Sequence, residues 1–472
     1  MDRKLTRTES DILGDMSIPA DDLRGIHTYR AMDNFNLTGR PVHPRLVHAY
    51  ALVKKACARA NALSGFLSSD MASAIETACD EVASGIHDAL FAIDALQGGA
   101  GTSTNMAVNE IIAHRAGQLV SEQFHGEQGP AVSGIISPLD HVNLHQSTND
   151  TYPTALKVAL IALVREAAEA AAFLQGALQK KEGEFADIVT VGRTEMREAV
   201  PMTLGSIFSA FAEATGRDRW RAFKCEERLR VVNLGGTATG TGLAAPRKYI
   251  LSVTDQLRSL TGFPLARAEN LVDQTANCDS LVEVAGIIQA AAANLIKISR
   301  DIRFLSHTGE LALGALQAGS SIMPGKVNPV IPEAVIQGGM RIKAVLSIVP
   351  DAASHGTLQI NEFLPLVSDA MIEALELYCA SARTLARHLE TVSADRARCA
   401  QLLDANPLTL TAFVPHLGYD RVGSLVGEWD LSGRPPLRNF LSGVLGDELV
   451  ARTLSAAALT SLGFVHKETP HA

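Results

Sequence analysis

Five segments of this chain gather hydroxyl, amide and glycine residues in patterns too elaborate for simple turns. They are Gly98–Asn105 (GGAGTSTN), Asn143–Asp150 (NLHQSTND), Gly192–Thr194 (GRT), Gly235–Gly242 (GGTATGTG) and Gly319–Pro329 (GSSIMPGKVNP). Neutral donors grouped with one lysine, Lys326, are what a small carboxylate substrate requires, because each carboxylate oxygen accepts hydrogen bonds and glycine-rich turns add backbone N–H groups. Phosphate motifs are excluded. The run ending in Gly325-Lys326-Val327 has five residues between its glycines, whereas a P-loop needs four and a Ser or Thr after the lysine. GGTATGTG lacks the spacing of a dinucleotide fingerprint. Any one cluster is equally well a helix cap, since GTST and STND both precede helical runs. Several in one chain, each ahead of a long helix, point beyond capping.

The elements that must position these clusters read as long helices. Residues 155–185 hold strong helix formers and no proline, enough for roughly 45 Å of helix. Residues 278–306 are similar, and the first half (LVEVAGIIQAAAANLI) is apolar almost all round; such a helix is expected to be covered on every side. Further helical runs are expected at about 204–230, 247–261, 330–349 and 365–392. Composition shifts near residue 400, where Asn406-Pro407, GRPP and short helices suggest a small C-terminal domain. The expected fold is all-α, in three parts: 1–145, 146–395 and 396–472. Packing such helices side by side would bring their ends, and the clusters on them, together.

Composition narrows the class further. The 472 residues carry 42 basic and 51 acidic side chains, a net of −9, which argues against nucleic acid as a partner. Only 5% of residues are aromatic, a poor match to a β-sandwich or barrel. MDRKLTRTESDILGD has no apolar core of a signal peptide, and no uninterrupted apolar stretch approaches about 18 residues. A cytoplasmic protein with no membrane span is the expectation. Six dispersed cysteines without a CxxC pair read as reduced, buried thiols, and no clustered ligands for a metal appear.

The residues of Gly319–Pro329 match the GSSxMPxKxNP motif of the aspartase/fumarase superfamily, and the sequence is identified as resembling that family. Gln97–Glu110 (QGGAGTSTNMAVNE), Asn143–Thr154 (NLHQSTNDTYPT) and Gly192–Gly205 (GRTEMREAVPMTLG) resemble its other three active-site segments, in order. The likeness runs from Pro19-Ala20-Asp21 to Gly418-Tyr419-Asp420. It implies a three-domain fold with a long central helical bundle, assembled as a homotetramer around a twenty-helix core, with each site shared by three subunits. It also implies cofactor-free, metal-free elimination of an amine or water to give an unsaturated acid. By resemblance Ser320 is the base. Lys326 and Asn328 hold one carboxylate, with Ser321 beside them. Thr102, Ser103, Ser147 and Thr148 hold the other, and Asn149 and Thr194 contact the leaving group. Within the family, the opening Asp11-Ile12-Leu13-Gly14 with Gly25-Ile26-His27-Thr28, and Thr148 after Ser147, lean toward the ammonia-lyases over fumarate hydratases.

Three residues depart from the pattern. After Gly192-Arg193-Thr194 the family usually has His or Gln, and here stands Glu195. A carboxylate there suits an ammonium, a larger cationic amine or a ring nitrogen, and Glu195 is therefore placed among the catalytic candidates. The alternative is that it turns away to pair with Arg193 or Arg197. With Glu362, where the family mostly has an apolar residue, it keeps open a cationic or imidazole-bearing amino acid or betaine, as in lyases of the ergothionase type. His145, beside the STND cluster, reads as a proton relay or, more simply, as a packing or capping residue. A non-catalytic structural relative is the rival class. Retention of Ser320, Lys326, Asn328, Thr102 and Asn149 argues against it.

Overall fold

The computed structural model describes residues 5–125 and 136–463. It is dominated by long helices, among them Pro44–Ser64, Thr102–His125, Thr148–Glu184, Leu204–Leu229, Asp279–His307, Val330–Leu346 and Leu364–Leu389. The chain divides into two compact units. One comprises Met1–Ala168, Arg221–Ala290 and Arg341–Tyr378; the other comprises Glu169–Trp220, Ala291–Met340 and Cys379–Ala472.

The Thr148–Glu184 helix shows why the sequence folds this way. Its start is fixed reciprocally: the Asn149 N–H donates to Ser147 Oγ at 3.2 Å and the Ser147 N–H donates to Asp150 Oδ1 at 2.9 Å. That exchange satisfies two donors that a helix start otherwise leaves unpaired. Every residue from Asp150 to Ile161 is buried, so the cluster read as a cap is itself the helix's first turn. Leu156, Leu160, Leu163, Leu174 and Leu178 lose all contact with solvent, at about 1.5–3 kcal/mol of transfer free energy each.

The Asp279–His307 helix departs from expectation. Leu281, Val284, Ile288, Leu295, Ile298 and Ile302 are buried, but Glu283, Gly286, Ala290, Ala293, Lys297 and Arg300 are exposed at alternating spacings of three and four. One face is therefore uncovered in the single chain. This helix is long and apolar enough to cross a membrane, yet it carries polar pairs along its length: Arg228–Glu283 at 2.6 Å, Asn294 to Asp218 at 2.8 Å, and Lys297–Asp301.

Among the described residues, four two-stranded β pairs interrupt the helices, where the sequence reading had none. The longest are antiparallel hairpins, Thr6–Asp11 with Gly14–Pro19 and Val189–Thr194 with Arg197–Thr203. C-terminal to residue 400, Leu410, Phe413, Leu425, Trp429, Leu437, Leu441, Val450 and Leu454 form a hydrophobic cluster of their own. All six cysteines, Cys57, Cys79, Cys225, Cys278, Cys379 and Cys399, are buried thiols that form no disulfide. Burial pushes the thiols of Cys57 and Cys225 up to about 12 and those of Cys278 and Cys399 up to about 11.

Candidate active site

The expected site residues fall into two sets, one in each unit. In the first unit, Thr102 and Ser103 open the Thr102–His125 helix, and Ser147, Thr148 and Asn149 surround the start of the Thr148–Glu184 helix. These two starts are adjacent. Asn105 Nδ2, one turn into the first helix, donates to Thr148 Oγ1 at 3.1 Å. The approach is set by Gly101, whose φ is +91°; a Cβ there would stand 2.2 Å from the Tyr152 ring. Only glycine suits both the backbone and the space. Thr102 Oγ1 donates to Gly99 O at 2.7 Å, and Asn149 Nδ2 donates to Ala238 O at 2.7 Å.

Asp150 ties these starts to the GGTATGTG turn. It is fully buried, and its Oδ2 accepts from the backbone of Gly235 at 3.0 Å and Thr237 at 3.1 Å. Burial dominates over these N–H groups and raises its carboxyl to about 6. Three of the five segments, Gly98–Asn105, Asn143–Asp150 and Gly235–Gly242, thus meet through three polar side chains, Asn105, Thr148 and Asp150.

The second unit carries the serine loop and the Val189–Thr203 hairpin. The loop is closed at its base: the Gly319 N–H donates to Lys326 O at 2.7 Å, and Asn328 Nδ2 donates to Gly319 O at 2.7 Å. A Cβ on Gly319 would meet Lys326 O at 2.6 Å. Within the closed loop, Ser320 Oγ accepts from the backbone N–H groups of Ile322 at 3.1 Å and Met323 at 2.8 Å. Two fixed N–H dipoles on one hydroxyl oxygen stabilise negative charge there, the arrangement a serine needs to act as a base. Ser321 and Lys326 on the same loop are exposed.

The hairpin turns through Glu195 and Met196, with φ of +50° and +62°. Two consecutive positive φ values are the signature of the tight turn that matches strand twist. Both residues are exposed. Glu195 does not fold back on Arg193, as the alternative reading supposed. Arg193 is held instead by Glu310 at 2.8 Å, and Glu195 forms no ion pair or hydrogen bond among the described residues. Glu195, Met196 and Arg193 line a cavity of about 690 Å³ together with Met202, Ile296 and Phe304. No hydrogen bond joins this hairpin tip to the serine loop among the described residues.

Two further expectations are resolved. His145 sits at φ +60°, with Nδ1 2.6 Å from Asn61 Oδ1 and its ring edge-on to Phe66 at 4.8 Å. Burial lowers its pKa, and its contacts are those of a packing residue. Glu362 Oε2 accepts from the Thr357 backbone at 3.2 Å and shapes its own loop. Sequence reasoning missed Glu310 and Lys54. Glu310 is wholly buried, and it accepts from Thr190 and from Thr308 at 2.6 Å as well as pairing with Arg193. Lys54 is likewise fully buried, beneath the Asn143–Asp150 segment. The signal for Lys54 was a lysine on the inward stripe of an apolar helix, Tyr50, Lys54, Cys57 and Asn61.

Hydroxyl and amide donors at helix starts are groups that can bind a carboxylate, and a serine oxygen held by two N–H groups is one that can take a proton. Residues 14–344 match the family model described as Lyase. The chain is 36% identical to an aspartate ammonia-lyase of a Bacillus species over 98% of this chain and 99% of that one. It is 36% identical to a class II fumarate hydratase of Ralstonia nicotianae over 88% of this chain and 90% of that one. A crystallised fumarate lyase:delta crystallin from Brucella melitensis superposes with a TM-score of 0.89 at 37% identity, covering 95% of this chain and 98% of that one. The chain belongs to the aspartase/fumarase superfamily of lyases, close to the aspartate ammonia-lyases.

Proposed function

We propose that this lyase eliminates ammonia from L-aspartate to give fumarate. The observation that carries the reading is the Ser320 hydroxyl, held by two backbone N–H groups in a loop closed by Gly319, Lys326 and Asn328. Ser320 takes the proton from the carbon beside one carboxylate. The electrons of that C–H bond form the double bond as the C–N bond breaks. The amino group leaves as ammonia, and the proton passes from the serine to solvent. Lys326 and Asn328 hold the carboxylate on which charge develops, with Ser321 alongside. Thr102, Ser103, Ser147 and Thr148 hold the other carboxylate. Asn149, Thr194 and Glu195 face the amine.

On this reading the chain works as a cytoplasmic homotetramer, with the long helices of 146–395 forming a shared core and three subunits building each site. The uncovered face of Asp279–His307, with Gly286, Ala290 and Ala293 allowing close approach, supports that assembly. Mixing two inactive proteins, Ser320→Ala and Thr102→Ala, is expected to restore part of the activity, because hybrid tetramers contain some unaltered sites. No recovery after subunit exchange, verified by native mass, would place each site within one chain.

The direct test is L-aspartate mixed with the protein, followed by the ultraviolet absorbance of fumarate and by ammonia release. A second reading, a cationic or imidazole-bearing amino acid as substrate, is favoured by Glu195, which has no partner among the described residues. Turnover of such compounds with no product from L-aspartate would select it. In either case Glu195→Gln is expected to lower kcat/KM by about 10- to 150-fold, the worth of one charge-assisted hydrogen bond. A change under about threefold would remove Glu195 from the amine pocket.

A further inference from the structure

Lys54, on the Pro44–Ser64 helix, is fully buried and forms no ion pair among the described residues. Its Nζ donates to Asn143 Oδ1 at 3.0 Å and to Gln146 Oε1 at 2.8 Å, and it stands 5.6 Å from the centre of the Tyr50 ring. An ammonium has only protons to offer, so both amides must face it with their oxygens. That single requirement propagates. Asn143 Oδ1, so placed, also accepts from Asn105 Nδ2 at 3.3 Å and Asn109 Nδ2 at 3.2 Å. Asn105 is thereby turned with its NH2 inward, and the same nitrogen donates to Thr148 Oγ1 at 3.1 Å.

Thr148 Oγ1 is therefore an acceptor on its protein side, and its proton goes to no acceptor among the described residues. The order has a visible cost. Asn105 Oδ1 and Asn109 Oδ1 are buried without any hydrogen-bond partner, although turning either amide over would set oxygen against oxygen at Asn143. Thr148 also opens a 37-residue helix, whose first N–H groups and dipole favour an anion.

We propose that Lys54 is a positioning residue for carboxylate binding: acting through Asn143 and Asn105, it leaves the Thr148 hydroxyl proton free for a substrate carboxylate. The proposal rests on reading the Thr148 segment as a carboxylate site. Lys54 touches no substrate; it sets the direction of hydrogen bonds in a network where each bond fixes the next. The titratable groups around it are Asp150 on the Thr148–Glu184 helix, Tyr50 and Cys57 on its own helix, and Cys79 on the Ser69–Ala83 helix. Burial outweighs them and lowers the ammonium to about 8. Above that pH, Lys54 becomes an amine that can also accept, and the enforced order relaxes.

The test uses the full-length protein and two variants, Lys54→Met and Asn105→Asp, with L-aspartate kinetics and calorimetric binding of fumarate. Asn105→Asp reverses the last bond, since an aspartate makes Thr148 donate inward. Both variants are expected to raise KM for L-aspartate and Kd for fumarate by about 10-fold or more, with a smaller change in kcat. In Lys54→Met the alkaline fall of carboxylate affinity near pH 8 should disappear. A lower melting temperature with KM, Kd and pH profile unchanged would reduce Lys54 to packing and overturn the proposal. If Lys54→Met does not fold, Asn105→Asp decides on the same readouts. Wild-type protein that binds fumarate without turning over L-aspartate overturns the aspartate reading alone, and fumarate Kd still judges Lys54. Wild-type protein that binds no fumarate overturns the proposal.

Discussion

Ser320→Ala is expected to fold and assemble like the parent protein and to lose at least about 10²–10⁴ of kcat. The side chain is a small partly exposed hydroxyl whose only bonds among the described residues are those it accepts from Ile322 and Met323, so its loss leaves two loop N–H groups to water and opens no cavity in a core. The chemical loss is of a different order, because proton removal from a carbon next to a carboxylate is the step that needs a base held in position. The measurement is fumarate formation under saturating substrate, with circular dichroism and native mass as controls. Activity within tenfold of the parent would remove Ser320 from the mechanism.

Glu310→Gln is expected to destabilise the protein by roughly 3–5 kcal/mol, the usual cost of removing one partner from a buried ion pair. Glu310 has no solvent exposure and the Arg193 side chain only 12%, at 2.8 Å from each other. Thr190 and Thr308 donate to different oxygens of Glu310. Glutamine keeps one acceptor and makes the other an NH2 donor, so the variant removes the charge beneath the guanidinium and one of the two threonine bonds. Arg193 also donates to Val191 O at 3.2 Å and lies 5.5 Å over the Phe304 ring. Releasing it loosens the hairpin that carries Thr194 and Glu195, and activity should fall with stability. Equilibrium urea unfolding reads the effect. A cost below about 1 kcal/mol would mean the pair behaves as a solvated surface pair.

Helix position was legible because helical spacing and breaker residues are local. The run 247–261 coincides with Arg247–Thr261, and 365–392 is close to Leu364–Leu389. The run 330–349 breaks at Ser347 into Val330–Leu346 and Ile348–Ser354. The start of Thr148–Glu184 was read seven residues late, since Ser147, Thr148 and Asn149 look like a cap and Pro153 like a boundary. The hairpin around Glu195 was not legible: its turn residues are Glu and Met, and positive φ is normally signalled by Gly or Asn. The serine loop and the hydroxyl clusters were recognisable as motifs. The buried charges that orient them, Glu310 and Lys54, were not, because their partners lie 117 residues away at Arg193 and 89 residues away at Asn143.

The six buried cysteines make the folded chain its own chemical clock. Alkylating reagents attack a thiolate, and burial withholds both the proton's departure and the reagent's access until the surrounding segment opens. Four of the thiols, Cys57, Cys79, Cys225 and Cys278, lie in one compact unit, and two, Cys379 and Cys399, lie in the other. The rate at which each is labelled under native conditions therefore measures the opening of its own neighbourhood. With no introduced probe, the order of labelling ranks the two units by how often each lets solvent in.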